Sequence, residues 1–195
     1  AGSAVRPGGY WSAAAKIFFL FFCAAYGYCE KFVYTCKYEE ESVTTLFYAG
    51  AEIPGWRKLL YENGVRHMAL SFVGLSRRTN YPERWKLVEK FPEDVHIFVE
   101  SGGHSINKNP DKYDVPALMD SYLKFVEANV DRVHTVTELD ARVFEPEMRQ
   151  QFRDRLHELS GDKFLPIWHE DDGVEVLVEL ATVYGRVGVP QVVAS

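Results

Sequence analysis

Acidic and histidine side chains directly follow three of the apolar segments of this chain. Glu100 follows residues 95–99, two acids follow residues 132–136, and a His-Glu pair follows residues 164–168. Carboxylate and imidazole groups can hold a polar ligand and transfer protons when they share a cleft. The five residues are Glu100, Glu138, Asp140, His169 and Glu170. They predict a site of acid–base chemistry, provided that the fold brings them together.

The segments around these residues have the pattern of alternating strands and helices. Short runs rich in β-branched and aromatic residues predict strands at residues 45–49, 66–73, 95–99, 132–136 and 164–168, with a sixth at 186–189. Helical patterns, three of which have proline at or next to their start, predict helices at residues 54–63, 85–90, 115–129, 146–159 and 174–184. This alternation requires parallel strands joined by helical crossovers. Ligands bind beyond the carboxyl ends of such strands, where the acidic residues would gather.

The number of units indicates the fold class. Six strand–helix units correspond to about three quarters of an eight-fold barrel, which typically needs about 250 residues. We therefore expect an α/β domain over residues 44–195 that resembles an incomplete (β/α) TIM barrel, with an open parallel sheet as the alternative. Neither Gly-x-Gly-x-x-Gly nor a Walker motif follows the first strand, which disfavours a nucleotide-binding doubly wound sheet.

Residues 1–43 form an N-terminal extension of different character. The apolar run at residues 17–28 is shorter than the roughly 20 apolar residues that span a bilayer, so we expect no membrane span. With Arg6 and Lys16 ahead of it, the run has the outline of a secretory signal peptide. The interpretation that we favour is a buried helix or strand packed on the domain. If the run is exposed, it is a candidate binding element for a protein partner.

The composition excludes some classes of function. A net charge of −6 over 195 residues argues against a protein that coats nucleic acid non-specifically, although a local basic patch remains compatible with nucleic-acid binding. The three cysteines, Cys23, Cys29 and Cys36, lack the spacing of a zinc site, and we expect neither metal nor cofactor. Free thiols suit a reducing cytoplasm, whereas one disulfide would need an oxidising compartment. We therefore expect a cytoplasmic protein.

Simpler roles exist for several of these residues. Glu100 could cap the loop that follows it, and Gly102-Gly103 could form only a tight turn. Asp140 could cap the helix that begins near residue 146. The acids of residues 169–172 could belong to a solvated capping loop. If these are their roles, the side chains at the carboxyl ends of the strands would not share a cleft.

The segment at residues 98–104, FVESGGH, resembles the Asp-Ser-Gly-Gly-Phe/Tyr motif of the tRNA-guanine transglycosylases. It is also similar to the related phage and bacterial proteins that put 7-deazaguanines into DNA. Residues 137–141, TELDA, lie one unit later, where that family places a second acid that reads the base. Residues 163–170, KFLPIWHE, and 186–190, RVGVP, resemble later strands of small phage-encoded members. The resemblance covers about residues 44–191.

This resemblance implies a TIM barrel that exchanges a base at an N-glycosidic bond of tRNA or DNA. It implies that Glu100 handles a proton and that Asp140 binds the edge of a guanine-like base. Ser101, Gly102 and Gly103 would line the base site, because a backbone without side chains lets a flat base lie close. Glu138, His169 and Glu170 would complete the substrate contacts, and Arg77 and Arg78 would contact phosphate.

The chain departs from the family pattern in three ways. The motif acid is Glu100 instead of aspartate, the cysteine-rich zinc site is missing, and the family's nucleophilic aspartate comes from a later strand. We therefore expect base binding without exchange by this chain. The alternatives are a non-catalytic, barrel-derived interaction protein, and an unrelated barrel hydrolase that holds a divalent metal on its acidic rim.

Overall fold

The computed structural model describes residues 16–20, 31–34, 45–76, 86–140 and 142–190. Its strands are β1 Lys16–Leu20, β2 Lys31–Tyr34, β3 Thr45–Tyr48, β4 His67–Ser71, β5 His96–Glu100, β6 Thr135–Thr137, β7 Phe164–Leu165 and β8 Arg186–Pro190. Its α-helices are α1 Pro54–Glu62, α2 Phe72–Ser76, α3 Gly103–Lys108, α4 Val115–Asn129, α5 Pro146–Ser160 and α6 Val174–Tyr184. The three cysteines, Arg77, Arg78 and most of the predicted apolar run lie outside the described residues.

Strands β3 to β7 are parallel neighbours in chain order. This arrangement confirms the predicted parallel sheet with helical crossovers. Strand β2 pairs antiparallel with β3 at the sheet edge, and β1 pairs in parallel with β8. A single parallel bridge between Ile167 and Gly188 links the segment after β7 to β8. The described parts of the N-terminal extension are therefore strands of the sheets.

The alternation of side chains along the strands explains the two apolar layers. In β4, Met68 and Leu70 are buried in the main core together with Tyr122 and Phe125 of α4. Ala69 belongs to a separate, smaller cluster on the opposite face of the sheet, because successive residues of a strand point to opposite faces. The other members of that cluster are Phe47, Ala49, Phe98, Leu165 and Ile167.

Helices α4 and α6 have the predicted bounds, and α1 and α5 differ from the prediction by one residue at their ends. Helix α4 begins after Asp114, whose Oδ1 accepts a hydrogen bond from the backbone N–H of Ala117 at 3.2 Å. Such a cap satisfies one of the backbone donors that a helix start leaves unpaired. Strong local signals of this kind explain why the helix was predictable.

The structure differs from the prediction where short helices follow strands. Strand β4 ends at Ser71 and α2 continues the chain, because Phe72 and Val73 turn into the main core. Helix α3 replaces the tight turn that the Gly-Gly pair suggested. Strand β6 starts three residues later than predicted, since residues 130–132 form a turn that leaves α4. A helix of five or six residues is too short to show a period of 3.6.

Three histidine rings lie together at the amino ends of the central strands. His67 and His96 are register partners, and their rings stack with centroids 4.6 Å apart. His134 directly precedes β6, and its ring is 5.6 Å from that of His96 in an edge-on arrangement. Phe47 packs against His67 and His134 with centroid distances of 5.2 and 5.8 Å. This end of the sheet therefore carries a cluster of titratable rings.

We expect this cluster to make the protein less stable in acid. Burial, followed by the positive charges of Arg186, His96, His67 and Lys163, lowers the pKa of His134 from 6.5 to about 4. Between these two values the unfolded chain binds the proton more readily, so the free energy of unfolding falls as the pH is lowered from 6.5 to 4. The residue as a whole is still exposed to solvent, which screens the charges around the partly desolvated ring, and we therefore expect a loss of only about 1 kcal/mol.

Urea denaturation of the wild type and of His134→Gln across this pH range checks the expectation. The glutamine variant should lose stability less steeply, because it cannot take up the proton. Equal slopes for the two proteins would assign the acid sensitivity to other groups.

Candidate functional site

Asp140 and His169 form a hydrogen-bonded pair beyond the carboxyl ends of β6 and β7. The distance from Nε2 of His169 to Oδ2 of Asp140 is 2.7 Å. Their side chains are 15% and 20% exposed, respectively, so the pair is largely shielded and still reachable. Asp140 lies three residues after β6, and His169 lies four residues after β7. The structure thus joins two of the predicted site residues, which are 29 positions apart.

Helix α3 fixes the main chain at Asp140. The side-chain amide of Asn107 donates to the carbonyl oxygen of Asp140 at 2.7 Å, and its Oδ1 accepts from the backbone N–H of Arg142 at 2.8 Å. Gly103 begins α3 and lies against the same residue. A Cβ at Gly103 would lie 2.7 Å from the carbonyl oxygen of Asp140, closer than real contacts allow. The glycine therefore permits the close approach that positions Asp140.

Charges around the pair favour the protonated form of His169. Burial alone would lower the pKa of His169, but the hydrogen bond from the ring to Asp140 and the charges of Asp140 and Asp172 outweigh it, and the pKa is raised. The backbone N–H of His169 donates to Oδ2 of Asp172 at 3.0 Å. Arg142 pairs with Asp171 at 2.7 Å, which lowers the pKa of Asp171. An imidazole with a raised pKa can hold or release a proton close to neutral pH.

Glu100 is the last residue of β5 and lies at the same carboxyl-end edge of the sheet, which we call the rim. Strand alternation places its side chain on the face of Phe98, and its Oε1 accepts a hydrogen bond from the backbone N–H of Gly102 at 2.8 Å. Gly102 has a φ of 93°, which side chains rarely tolerate, and a Cβ there would lie 2.4 Å from Cβ of Val73. Glu100 is thus linked to the Asp140 region through the start of α3, where Gly102 precedes the helix and Gly103 begins it.

Gly102→Ala is expected to lower the free energy of unfolding by about 2 kcal/mol, through left-handed strain and the clash with Val73. The matched control is Gly64→Ala, because Gly64 has a φ of 81° and no atom within 4 Å of its added Cβ. The control should lose only the strain, about 1 kcal/mol. Urea denaturation measures both losses. Equal losses would mean that the rim relaxes around the new methyl group.

Glu138 is placed away from the pair. It is 6% exposed and forms two short contacts with Arg153 of α5, from Nε at 2.6 Å and from Nη2 at 3.0 Å. Burial raises the pKa of Glu138, while Arg153 opposes this shift. This geometry is that of a buried ion pair between sheet and helix, and it does not bring Glu138 to His169.

The remaining predicted residues have different surroundings. Ser101 is buried, and its backbone N–H donates to Oγ1 of Thr137 at 3.0 Å. Glu170 is exposed and begins a short 3₁₀ turn, Glu170–Asp172. Arg77 and Arg78 lie outside the described residues. Ser101 therefore contributes to the base of the rim, whereas Glu170 lies at its solvent edge.

Two residues of the rim were not among the predicted site residues. Asn107 was missed because the helix that carries it was not predicted. Glu52 accepts a hydrogen bond from the backbone N–H of Ser71 at 3.4 Å and so braces the carboxyl end of β4. The acid after the first predicted strand was the signal that could have pointed to Glu52.

In the described part of the chain, no group of three or more His, Cys, Asp or Glu residues is arranged to hold a metal ion. None of the helices described there has the length and apolar character needed to cross a membrane.

The fold and the rim together define an α/β protein with a parallel sheet and an aspartate–histidine pair beyond the strand ends. The pair can accept N–H groups of a ligand through the carboxylate and exchange a proton through the imidazole. Neither a protein-family model nor a curated protein matches the sequence. The site geometry is therefore the basis for a functional proposal.

Proposed function

We propose that the carboxyl-end rim binds a guanine-like nucleobase, as in a transglycosylase-type TIM barrel that acts on tRNA or DNA in the cytoplasm. The observation that carries the proposal is the pair of Asp140 and His169. Its hydrogen bond uses Oδ2 of Asp140, and no described residue donates to Oδ1. An aspartate oxygen at a rim can accept N–H groups from the edge of a guanine ring.

The backbone at Gly102 and Gly103 supports this proposal. Gly103 has no side chain between the main chain and Asp140, and Gly102 turns the chain away from β5 with a positive φ. A flat ring next to Asp140 would meet main chain at this point instead of a bulky side chain. Glu100, at the same turn, would handle a proton of the base or of the leaving group. The same pattern of residues produced the resemblance to the transglycosylase motif.

Strand pairing supports the barrel part of the proposal. Five parallel strands in chain order form one wall, and β8 continues it through the bridge between Ile167 and Gly188. Strand β1 then pairs with β8, while β2 pairs with β3 at the other edge. Strands β1 and β2 are consecutive in the chain and extend opposite edges of this wall. This arrangement is the one expected if the sheet closes into a barrel. The acidic rim would then surround the mouth of the barrel.

Calorimetry with a panel of bases tests the proposal. Guanine and 7-deazaguanine should bind, whereas adenine and uracil, which present different hydrogen-bonding edges, should bind at least ten-fold more weakly. Incorporation of labelled guanine into tRNA or DNA tests separately whether the protein also exchanges the base. Equal affinity for all four bases would reject specific base binding.

A second candidate is a non-catalytic protein that binds a partner. Helix α6 carries two exposed valines one turn apart, Val174 at 60% and Val178 at 43%, and Val183 near its end is 60% exposed. Exposed apolar side chains on one helix are typical of a contact surface. This candidate would be favoured if no base of the panel binds. Size-exclusion chromatography with light scattering then tests whether the chain self-associates.

A further inference from the structure

A second cleft lies at the opposite end of the sheet, beside the amino ends of β5 to β8. Its volume is about 640 Å³, within the range of small-molecule sites. Four successive loop-to-strand junctions form it, and each junction contributes at least one charged or histidine side chain. These side chains are Glu93, His96, Arg132, His134, Asp162, Lys163 and Arg186. The cleft is separate from the rim that carries Asp140.

Three cationic side chains line this cleft, and neutral acceptors hold two of them, Arg132 and Lys163, in place. Arg132 donates from Nη2 to the carbonyl oxygens of Phe91 and Pro92 at 3.3 and 3.1 Å. Lys163 donates to the carbonyl oxygen of Val130 at 2.5 Å. In the described part of the chain, neither Arg132 nor Lys163 forms a salt bridge with a carboxylate. These bonds orient both side chains without neutralising their charge.

Arg186 completes the cationic wall. Its Nη1 donates to the main-chain carbonyl of Asp162 at 2.7 Å, and its Nη2 donates to Oγ1 of Thr135 at 2.9 Å. The three cations are half-buried, whereas the two acids of the cleft, Glu93 and Asp162, are exposed to solvent. Solvent screens exposed charges more strongly, so the positive charges dominate inside the cleft. After burial, which is the larger cause, Arg186 and Lys163 of this cleft also lower the pKa of His134.

We infer that this cleft binds a small ligand that carries a phosphate monoester, such as a mononucleotide. Lysine and arginine are the side chains that recognise phosphate oxygens, and each can form charge-assisted hydrogen bonds to them. Tyr184 lines the same cleft and offers an aromatic surface for an organic group next to the phosphate. Four converging loops form a concave pocket, which suits a small molecule better than an extended polymer. The inference goes beyond the proposed function and does not depend on it.

NMR titration of the full chain with inorganic phosphate and with guanosine 5′-monophosphate tests the inference. Amide shifts should saturate and cluster at residues 132–134, 162–163 and 184–186. The monophosphate should bind with a Kd of about 1 mM or tighter, which needs only a few charge-assisted hydrogen bonds. Inorganic phosphate should perturb the same amides more weakly. Uncharged guanosine should not perturb them.

Variants of Lys163 separate charge recognition from general effects. Lys163→Met should weaken binding of the monophosphate at least ten-fold, whereas Lys163→Arg should retain most of it. Lys124→Met, which removes an exposed lysine of α4 outside the cleft, should leave binding unchanged. If Lys163→Met fails to fold, the positions of the amide shifts in the wild-type chain still test the inference.

The inference would be overturned by shifts that do not saturate, by shifts confined to the rim near Asp140, or by equal weakening in Lys163→Met and Lys124→Met. Tighter binding of a short single-stranded oligonucleotide than of the monophosphate would also overturn it, because a polymer would then be the ligand.

Discussion

Asp140→Ala is expected to weaken the binding of guanine and 7-deazaguanine by about ten- to a hundred-fold, as a bidentate contact from an acid to a base contributes about 1–3 kcal/mol. The fold should survive, since Asp140 lies at the rim and carries little apolar packing. Loss of its hydrogen bond to His169 should lower the free energy of unfolding by about 1 kcal/mol. Calorimetry with both bases, together with urea denaturation, measures the two effects.

Asp120→Ala is the matched control for this variant. Asp120 is an exposed residue of α4 and makes none of the contacts described at the rim, so its replacement should leave base binding unchanged. The pKa of His169 gives a further check and should fall, because removal of the Asp140 carboxylate takes away the largest of the interactions that raise it and leaves only the charge of Asp172. Unchanged affinity in Asp140→Ala would show that the base does not contact this carboxylate.

Arg153→Met is expected to have the largest effect on stability. It removes the partner of Glu138, whose side chain is 8% exposed, and leaves a buried carboxylate without its cation. Breaking a buried ion pair in this way costs about 3–5 kcal/mol. In the variant, burial raises the pKa of Glu138 without opposition from arginine. The folded state then binds a proton more readily than the unfolded chain, so the deficit should shrink as the pH is lowered towards 4.5.

Two comparisons make this prediction specific. Arg155→Met removes an exposed arginine of the same helix and should change the free energy of unfolding by about 0.5 kcal/mol at most. Combining Arg153→Met with Glu138→Leu should recover much of the lost stability, because no buried charge remains. A deficit in Arg153→Met that is small and independent of pH would contradict the role assigned to the pair.

The regular parts of the fold were predictable because their signals are local. Proline near the start of α4 and a glycine after α6 mark helix ends, and short apolar runs mark the strands. The order of parallel strands then follows from their alternation with helices. Helix α3 and the end of β4 could not be predicted, since burial of Phe72 and Ile106 depends on neighbours distant in sequence.

The candidate site was predictable in part. Asp140 and His169 were singled out because both follow strands, and parallel strands present their ends at one edge. Glu138 follows the same strand as Asp140 but lies two positions earlier. Its side chain points to the face of the sheet that the helices cover, and there it forms an ion pair with Arg153. The role of Asn107 required knowledge of a contact between residues 33 positions apart. A position at a strand end identifies a residue as a candidate for the site. Which of two adjacent candidates belongs to the site depends on how the side chains pack.

The cationic cleft had a signal in the sequence that was not used. Arg132, Lys163 and Arg186 each lie within three residues of a strand start, on the amino side or at the first position. Parallel strands present their amino ends, like their carboxyl ends, at one edge of the sheet. The three cations therefore meet for the same geometric reason as the residues of the rim.

The most direct test of base binding at the rim is NMR titration of the wild-type chain with 7-deazaguanine. Saturable amide shifts should cluster at Gly102, Gly103, Asp140 and His169, and in Asp140→Ala they should need about ten- to a hundred-fold more ligand to saturate. The phosphate-binding cleft at residues 132–134 and 184–186 should remain unperturbed. Absence of saturable shifts, or shifts confined to that opposite end of the sheet, would contradict the proposed function.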